Sequence, residues 1–427
     1  MDYHVLHPFT LMPDITNLSE KEINNKLIIS ESSTSSWIKD KKGEFYYNIS
    51  NAALSLGSGQ EDIINAAIKQ YKKLSTGTLF AQGHDKANEL ARKLVEKMPD
   101  YNMAFYSIDG TGTTETALKI ARQHFLSKGK TRKKKYISLN GGFHGNSYGS
   151  LSVTNVGLHD LFGPILKGML SVNPPVFNSD EQDLEIEKKC KELQDLIEDE
   201  NSETIAAMII EPIQGVSGVQ VIPKKYLQKV RELTKKHDIL LIVDEVTTGI
   251  GRLGDWSANE LMNINGDIVT FSKSLTSGYF PLGVTMMKQN IAESFLGEKN
   301  GGFPHGSTLS GHPVGCAIGL AVINKIDEEN LLDNVLKYEY ILKSELKNKL
   351  AQTSSFKEIR GKGLMIGIEF FSDSTFSEKF VKNLLNEGLL GTYGNGTLII
   401  YPPFNLTELD AEFIIDSITK AAISASN

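Results

Sequence analysis

Short apolar runs alternate with amphipathic helical segments through the first three quarters of the chain, and no other feature limits its fold as strongly. Residues 85–98 show the helical half of the pattern: Ala87, Leu90, Ala91, Leu94, Val95 and Met98 recur at three- and four-residue intervals after Asp85, and Pro99 ends the run. The strand half consists of residues 103–107, 136–139, 205–210, 239–243, 268–271 and 283–287. Strands that alternate with helices predict an α/β fold with a mostly parallel central sheet covered on both faces. From about residue 323 the rhythm changes to a long polar helix followed by strand-like runs at 364–370 and 398–401. A chain of 427 residues exceeds the size at which one core stops growing. The expected division is an N-terminal segment, 1–60, that joins a small domain, a large domain, 61–322, and a smaller α+β domain, 323–427.

In open α/β sheets ligands bind outside the carboxyl ends of the strands, so the residues that follow each apolar run are the ones that matter for chemistry. Other function classes fall away on composition. The formal net charge is -7, with 23% charged residues, which is ordinary for a globular chain and gives no footprint for nucleic acid. The basic run at 128–135, KGKTRKKK, is expected to be a solvated connection, and the acidic stretch at 180–203 an exposed helical face. Cys190 and Cys316 stand far apart and outside any CxxC spacing, so neither a disulfide framework nor a thiolate zinc site is expected, and no metal is predicted. The segment MDYHVLHPFTLMPD lacks a basic region followed by an apolar one, and no stretch approaches membrane-spanning length. A cytoplasmic protein without a membrane partner is the expectation.

Four strand ends carry candidate chemistry. The run ILLIV delivers Asp244 and Glu245, and a carboxylate there needs a cationic partner, either a protonated ring nitrogen or an arginine such as Arg252. The run IVTF delivers Ser272 and Lys273; desolvation would lower the lysine pKa and free its amine to attack an aldehyde, whereas an isolated lysine in such a place is ordinarily a surface residue. Asp109, Gly110, Thr111 and Gly112 follow residues 103–107 and open the helix TTETALKIARQHF, which suits either a phosphate at a helix N-terminus or a plain tight turn. Gly141, Gly142, Phe143, His144 and Gly145 follow YISL, where an aromatic ring could stack on a flat heterocycle or fill the core. Together they make a site for one ligand that has a phosphate, a ring and an aldehyde.

The segments DGTGTTETALKIAR, GGFHGNSYGSLSVTN, IIEPIQG, ILLIVDEVTTGIGRLG, DIVTFSKSLTSGYFPLG, HGSTLSGHP and IRGKGLMIGIEF stand in one order along the chain. In them the sequence resembles the class III, or omega, aminotransferases that depend on pyridoxal 5'-phosphate. The resemblance implies a fold type I transferase and makes Lys273 the lysine that forms the Schiff base and carries the proton, and Asp244 the partner of the pyridine nitrogen. It places Val246 and Phe143 on the two ring faces, His144 and Glu211 at the cofactor, and Gly110, Thr111 and Gly112 at the phosphate. Thr308 would reach the same phosphate from a neighbouring subunit, which implies a homodimer with active sites at the interface. Arg360 would bind a substrate carboxylate, with an ion pair to Glu358 as the lesser alternative.

The sequence departs from the family around the substrate. Val216 stands where glutamate-using members carry a gating glutamate, and Thr247 where the same members have glutamine. These departures are similar to the branch of diaminopelargonate synthases and omega-amine:pyruvate transaminases. Yet Ala53 and Leu54 replace the paired tryptophans of the first, Thr392 replaces an arginine of the second, and Asp109 replaces a common serine. Leu54, Phe80, Tyr148 and Thr392 are expected to line the pocket. The implied reaction moves an amino group from an amine or amino-acid donor to an oxo acceptor with ping-pong kinetics. A racemase or aminomutase of the same fold shares all the cofactor residues, and a non-catalytic binding protein would have lost one of them.

Overall fold

A computed structural model of the chain describes all residues except 1–3, 11, 15–18, 20–21, 24–25, 176–181, 298–300, 372 and 427. Its centre is a seven-stranded sheet in the order Met103–Ser107, Gly283–Met287, Ile268–Phe271, Leu240–Asp244, Ile205–Ile210, Lys135–Leu139, Met169–Val172. Gly283–Met287 runs antiparallel to both neighbours and the other pairings are parallel, so the expected mostly parallel sheet is formed. Met169–Val172 was not anticipated: it is a short edge strand, MLSV, whose mixed composition carries no apolar run.

Both faces of the sheet are covered, which is why its central strands read as unbroken apolar runs. The helix Gly110–Ser127 packs Ala117, Ile120, Ala121 and Phe125 with Ile209, Ile242 and Ile268 of the strands. Alternate residues, among them Ile210, Leu241, Val243 and Val269, point the other way, into a larger core shared with Leu227 and Val230 of the helix Lys224–Lys236. The period of two along each strand thus feeds two cores from one sheet.

The C-terminal part is an antiparallel sheet, in the order Phe356–Lys362, Met365–Phe370, Thr397–Ile400, Thr392–Gly394, with the helices Leu331–Leu350, Ser374–Asn386 and Glu408–Ser426. Near the start of the chain, Ser30–Thr34, Trp37–Asp40 and Phe45–Asn48 form a meander, which Leu389–Leu390 extends in parallel, with Leu389 opposite Tyr47. The boundary expected between residues 322 and 323 falls inside the continuous helix Pro313–Glu328, and the helical path turns instead at Asn330, whose φ is +52°.

The basic run at 128–135 is exposed at residues 128–132 and at 134, as expected of a solvated connection, with Lys133 the exception. Lys133 is fully buried, and its Nζ donates to the carbonyls of Asp238 at 2.5 Å and of Ser202 and Ile205, each at 3.1 Å. A lysine ringed by backbone carbonyls is a pairing that local charge density cannot reveal. In the acidic stretch, residues 180 and 181 lie outside the described residues; the helix Gln182–Asp199 buries Ile186, Leu193 and Ile197 on its inner face. Among the described residues no helix is long and apolar enough to cross a membrane, and no group of three or more His, Cys, Asp or Glu could hold a metal ion.

Candidate active site

Beyond the carboxyl ends of the strands lies a cavity of about 520 Å³ whose walls include Gly110, Thr111, Phe143, His144, Glu211, Asp244, Val246 and Lys273. Each stands at the end of a strand or within a few residues after it, as the topology of an open α/β sheet dictates. Gly112 is not on the wall. Its N–H donates to Asp109 Oδ1 at 2.6 Å, so Asp109 caps the helix and takes the amide that was expected to face a phosphate. The helix N-terminus offers the cavity Gly110 and Thr111. A Cβ at Gly110 would lie 2.7 Å from Val246 Cγ1, so only glycine lets these two turns meet.

Asp244 is buried at the last position of Leu240–Asp244. Its Oδ2 lies 2.7 Å from His144 Nδ1, while its Oδ1 accepts from the Val246 N–H and the Thr270 hydroxyl, each at 3.0 Å. Burial opposes protonation of His144, but the hydrogen bond and charge of Asp244 carry its pKa above the ordinary value. The partner of Asp244 on the protein side is this histidine. Arg252, the alternative, points elsewhere: it is fully buried and donates to the carbonyls of Pro402 at 2.6 Å and of Leu364 and Ala52, each at 3.1 Å.

Glu211 accepts from the Phe143 N–H at 2.8 Å and the Gly215 N–H at 3.3 Å, tying two turns of the wall together. Burial pushes its pKa up to about 7, and the nearby His144 acts against that shift. Lys273 follows Ile268–Phe271 with φ at +32°, an unusual backbone for a lysine and of the kind found where function fixes a side chain. Its Nζ lies 2.6 Å from Thr247 Oγ1, and burial lowers its pKa against the pull of Glu211 and Asp244.

The site fits a flat phosphorylated aldehyde. It has a helix N-terminus for the phosphate, a ring and a branched side chain on its wall, a buried carboxylate and a desolvated amine, and the buried His144 Nε2 has no partner. Thr308 is exposed and does not line this chain's cavity. Arg360 does not line it either. The ion pair to Glu358 that was ranked below a substrate role is formed, at 2.6 Å, and Glu369 holds the same nitrogen, while Nε donates to the Gly218 carbonyl at 2.8 Å. In this structure the guanidinium is held by Glu358, Glu369, Thr397 and the Gly218 carbonyl.

Leu54, Phe80, Tyr148 and Thr392 are absent from the wall, whereas Ala53, Val216, Thr247, Phe280 and Tyr401 contribute to it. Tyr401 directly follows the run Thr397–Ile400, so the strand-end criterion extended to the smaller sheet would have found it.

Residues 18–422 match the family model for aminotransferase class-III. The chain is 32% identical to the adenosylmethionine-8-amino-7-oxononanoate aminotransferase of Geobacter sulfurreducens, a match that covers 98% of this chain and 95% of the relative. It is 29% identical to the putrescine–pyruvate aminotransferase of Pseudomonas aeruginosa, over 94% of this chain and 90% of that one. Its fold matches the crystal structure of the omega transaminase from Pseudomonas jessenii in complex with PMP, with a TM-score of 0.90, 28% identity and coverage of 99% and 96% of the two chains.

Proposed function

Because the chain belongs to the class-III aminotransferases, which depend on pyridoxal 5'-phosphate, we propose that the strand-end cavity is where it passes an amino group from an amine or amino-acid donor to an oxo acceptor. The observation that carries this reading is the meeting, in one cavity, of the Lys273 amine, the buried Asp244–His144 pair and a helix N-terminus. Bound pyridoxal phosphate supplies an aldehyde for the incoming nitrogen and a ring that draws electrons from the carbon losing its proton. Gly110 and Thr111 would hold the phosphate, and Phe143 and Val246 the two ring faces. Asp244, fixed by three donors, would keep the ring nitrogen protonated. Lys273 would anchor the cofactor at rest and, once displaced by the donor, move the proton from the donor carbon at its Nζ. The desolvation that lowers its pKa suits it to accept that proton.

The functional unit in this reading is a homodimer, in which Thr308 of one subunit reaches the phosphate held by the other; its exposure outside its own cavity supports that role. The 1–60 segment joins the smaller domain, 323–427, in this reading, which the pairing of Leu389 with Tyr47 supports. The two cysteines are free, in keeping with a cytoplasmic location. The named relatives support a primary-amine donor and an oxo-acid acceptor.

An absorbance titration of purified holoenzyme tests the reaction. Adding amines and amino acids without an acceptor should convert the cofactor band to that of the amino form, and one particular oxo acid should restore it. A band that no donor converts, in protein that racemises or isomerises an amino acid without an acceptor, would overturn aminotransfer.

A further inference from the structure

The amine of Lys273 rests on a neutral partner although two carboxylates stand nearby. Asp244 already receives His144, Val246 and Thr270, and Glu211 receives the N–H groups of Phe143 and Gly215. What is left for Nζ is the hydroxyl of Thr247, at 2.6 Å. Thr247 follows Val246, whose N–H is held by Asp244 Oδ1 at 3.0 Å in a turn closed on the strand end. Its methyl faces Gly215, where a Cβ would lie 3.9 Å from Thr247 Cγ2 and 3.2 Å from the Tyr401 hydroxyl.

A hydroxyl differs from a carboxylate in one respect that matters for a proton carrier. It accepts from an ammonium and donates to a free amine, so it can hold Nζ in both protonation states. A carboxylate would favour the ammonium alone and make it reluctant to release its proton. We propose that Thr247 is the positioning residue for the proton-carrying step: its hydroxyl receives Lys273 Nζ when the lysine is not attached to the cofactor and keeps it aimed at the reacting carbon in both protonation states. The proton leaves the donor carbon for Nζ and passes from Nζ to the cofactor carbon, so none is gained or lost overall. The charged groups that act on Nζ are Glu211, Asp244 and Arg252; each has other partners and none substitutes for the hydroxyl.

This inference rests on Lys273 being the cofactor-attached lysine, which is tested separately: borohydride reduction of the wild-type holoenzyme and peptide mapping should place the cofactor on Lys273. With that established, Thr247→Val and Thr247→Ser are compared. Loss of one such hydrogen bond should lower kcat of Thr247→Val by about tenfold, leave KM for the donor nearly unchanged and enlarge the kinetic isotope effect of a donor deuterated at its reacting carbon. Thr247→Ser should restore most of the rate. In cofactor-free protein, the pH midpoint for competitive acylation of Lys273 should fall in Thr247→Val, whose ammonium has lost its acceptor, and return in Thr247→Ser. A Thr247→Val protein that binds cofactor on Lys273 and keeps the wild-type kcat, isotope effect and labelling midpoint would overturn the role. Cofactor found on another lysine would overturn the reading beneath it.

Discussion

Glu211 shows what burial does to one residue of this site. Its carboxylate accepts two backbone N–H groups, which alone would hold its pKa down, yet burial prevails and raises it from 4.5 to about 7. The folded chain therefore keeps a proton that the unfolded chain has released. The stability this contributes is fully present below pH 4.5 and is lost as pH rises through 7, a change of about 3 kcal/mol at most. Denaturant unfolding of cofactor-free protein at pH 5 and pH 8 measures it: Glu211→Gln, which cannot ionise, should gain on the wild type between those two values. A gap between the two proteins that does not move with pH would show that Glu211 does not titrate in this range. Arg360 makes the complementary point. Two carboxylates and a carbonyl hold its nitrogens, and of these only Glu358 lies beside it in the sequence, so the other two are pairings that no linear motif reports.

At the scale of elements, the site is built by turns that meet over the sheet edge. Gly110 opens its helix directly against Val246, which follows a different strand. Gly110→Ala would push Val246 aside, since 2.7 Å is closer than a Cβ and a methyl can approach. Affinity for pyridoxal phosphate should fall by roughly tenfold or more, the cost of an overpacked contact of about 1–3 kcal/mol. Gly110→Ala combined with Val246→Ala should recover part of that loss, because the second change restores the space. Equal cofactor dissociation constants for Gly110→Ala and the wild type would remove this contact from the binding site. The elements themselves were legible wherever both faces of a strand are buried, as in Ile205–Ile210, and illegible at the edge, as in Met169–Val172, where one side lacks a partner and the apolar run dissolves.

For the whole molecule, the question is whether one chain completes its own site. Arg252 draws the carbonyls of Ala52, Leu364 and Pro402 together and so joins segments from the beginning, the middle and the end of the chain. Thr308 stays outside the cavity. If it serves the partner subunit, Lys273→Ala and Thr308→Asp homodimers are both inactive, but mixing the two chains should restore activity. Random pairing of symmetric dimers gives about a quarter of the wild-type sites, each with Lys273 from one chain and Thr308 from the other. Mixed dimers without activity would mean that Thr308 acts within its own chain or not at all.

What the sequence determined by itself was the fold class and the strand-end residues Gly110, Thr111, Phe143, Asp244 and Lys273, because periodicity and the position just after a buried strand are local properties of a linear chain. Tertiary structure decided the rest. That His144, and not Arg252, stands against Asp244, that Asp109 takes the amide of Gly112, that Lys133 is buried under carbonyls and that Thr247 receives Lys273 are all pairings between turns that only the folded backbone brings within hydrogen-bond distance. A hydrogen bond requires two groups within about 3 Å, and separation along the chain carries no information about that distance.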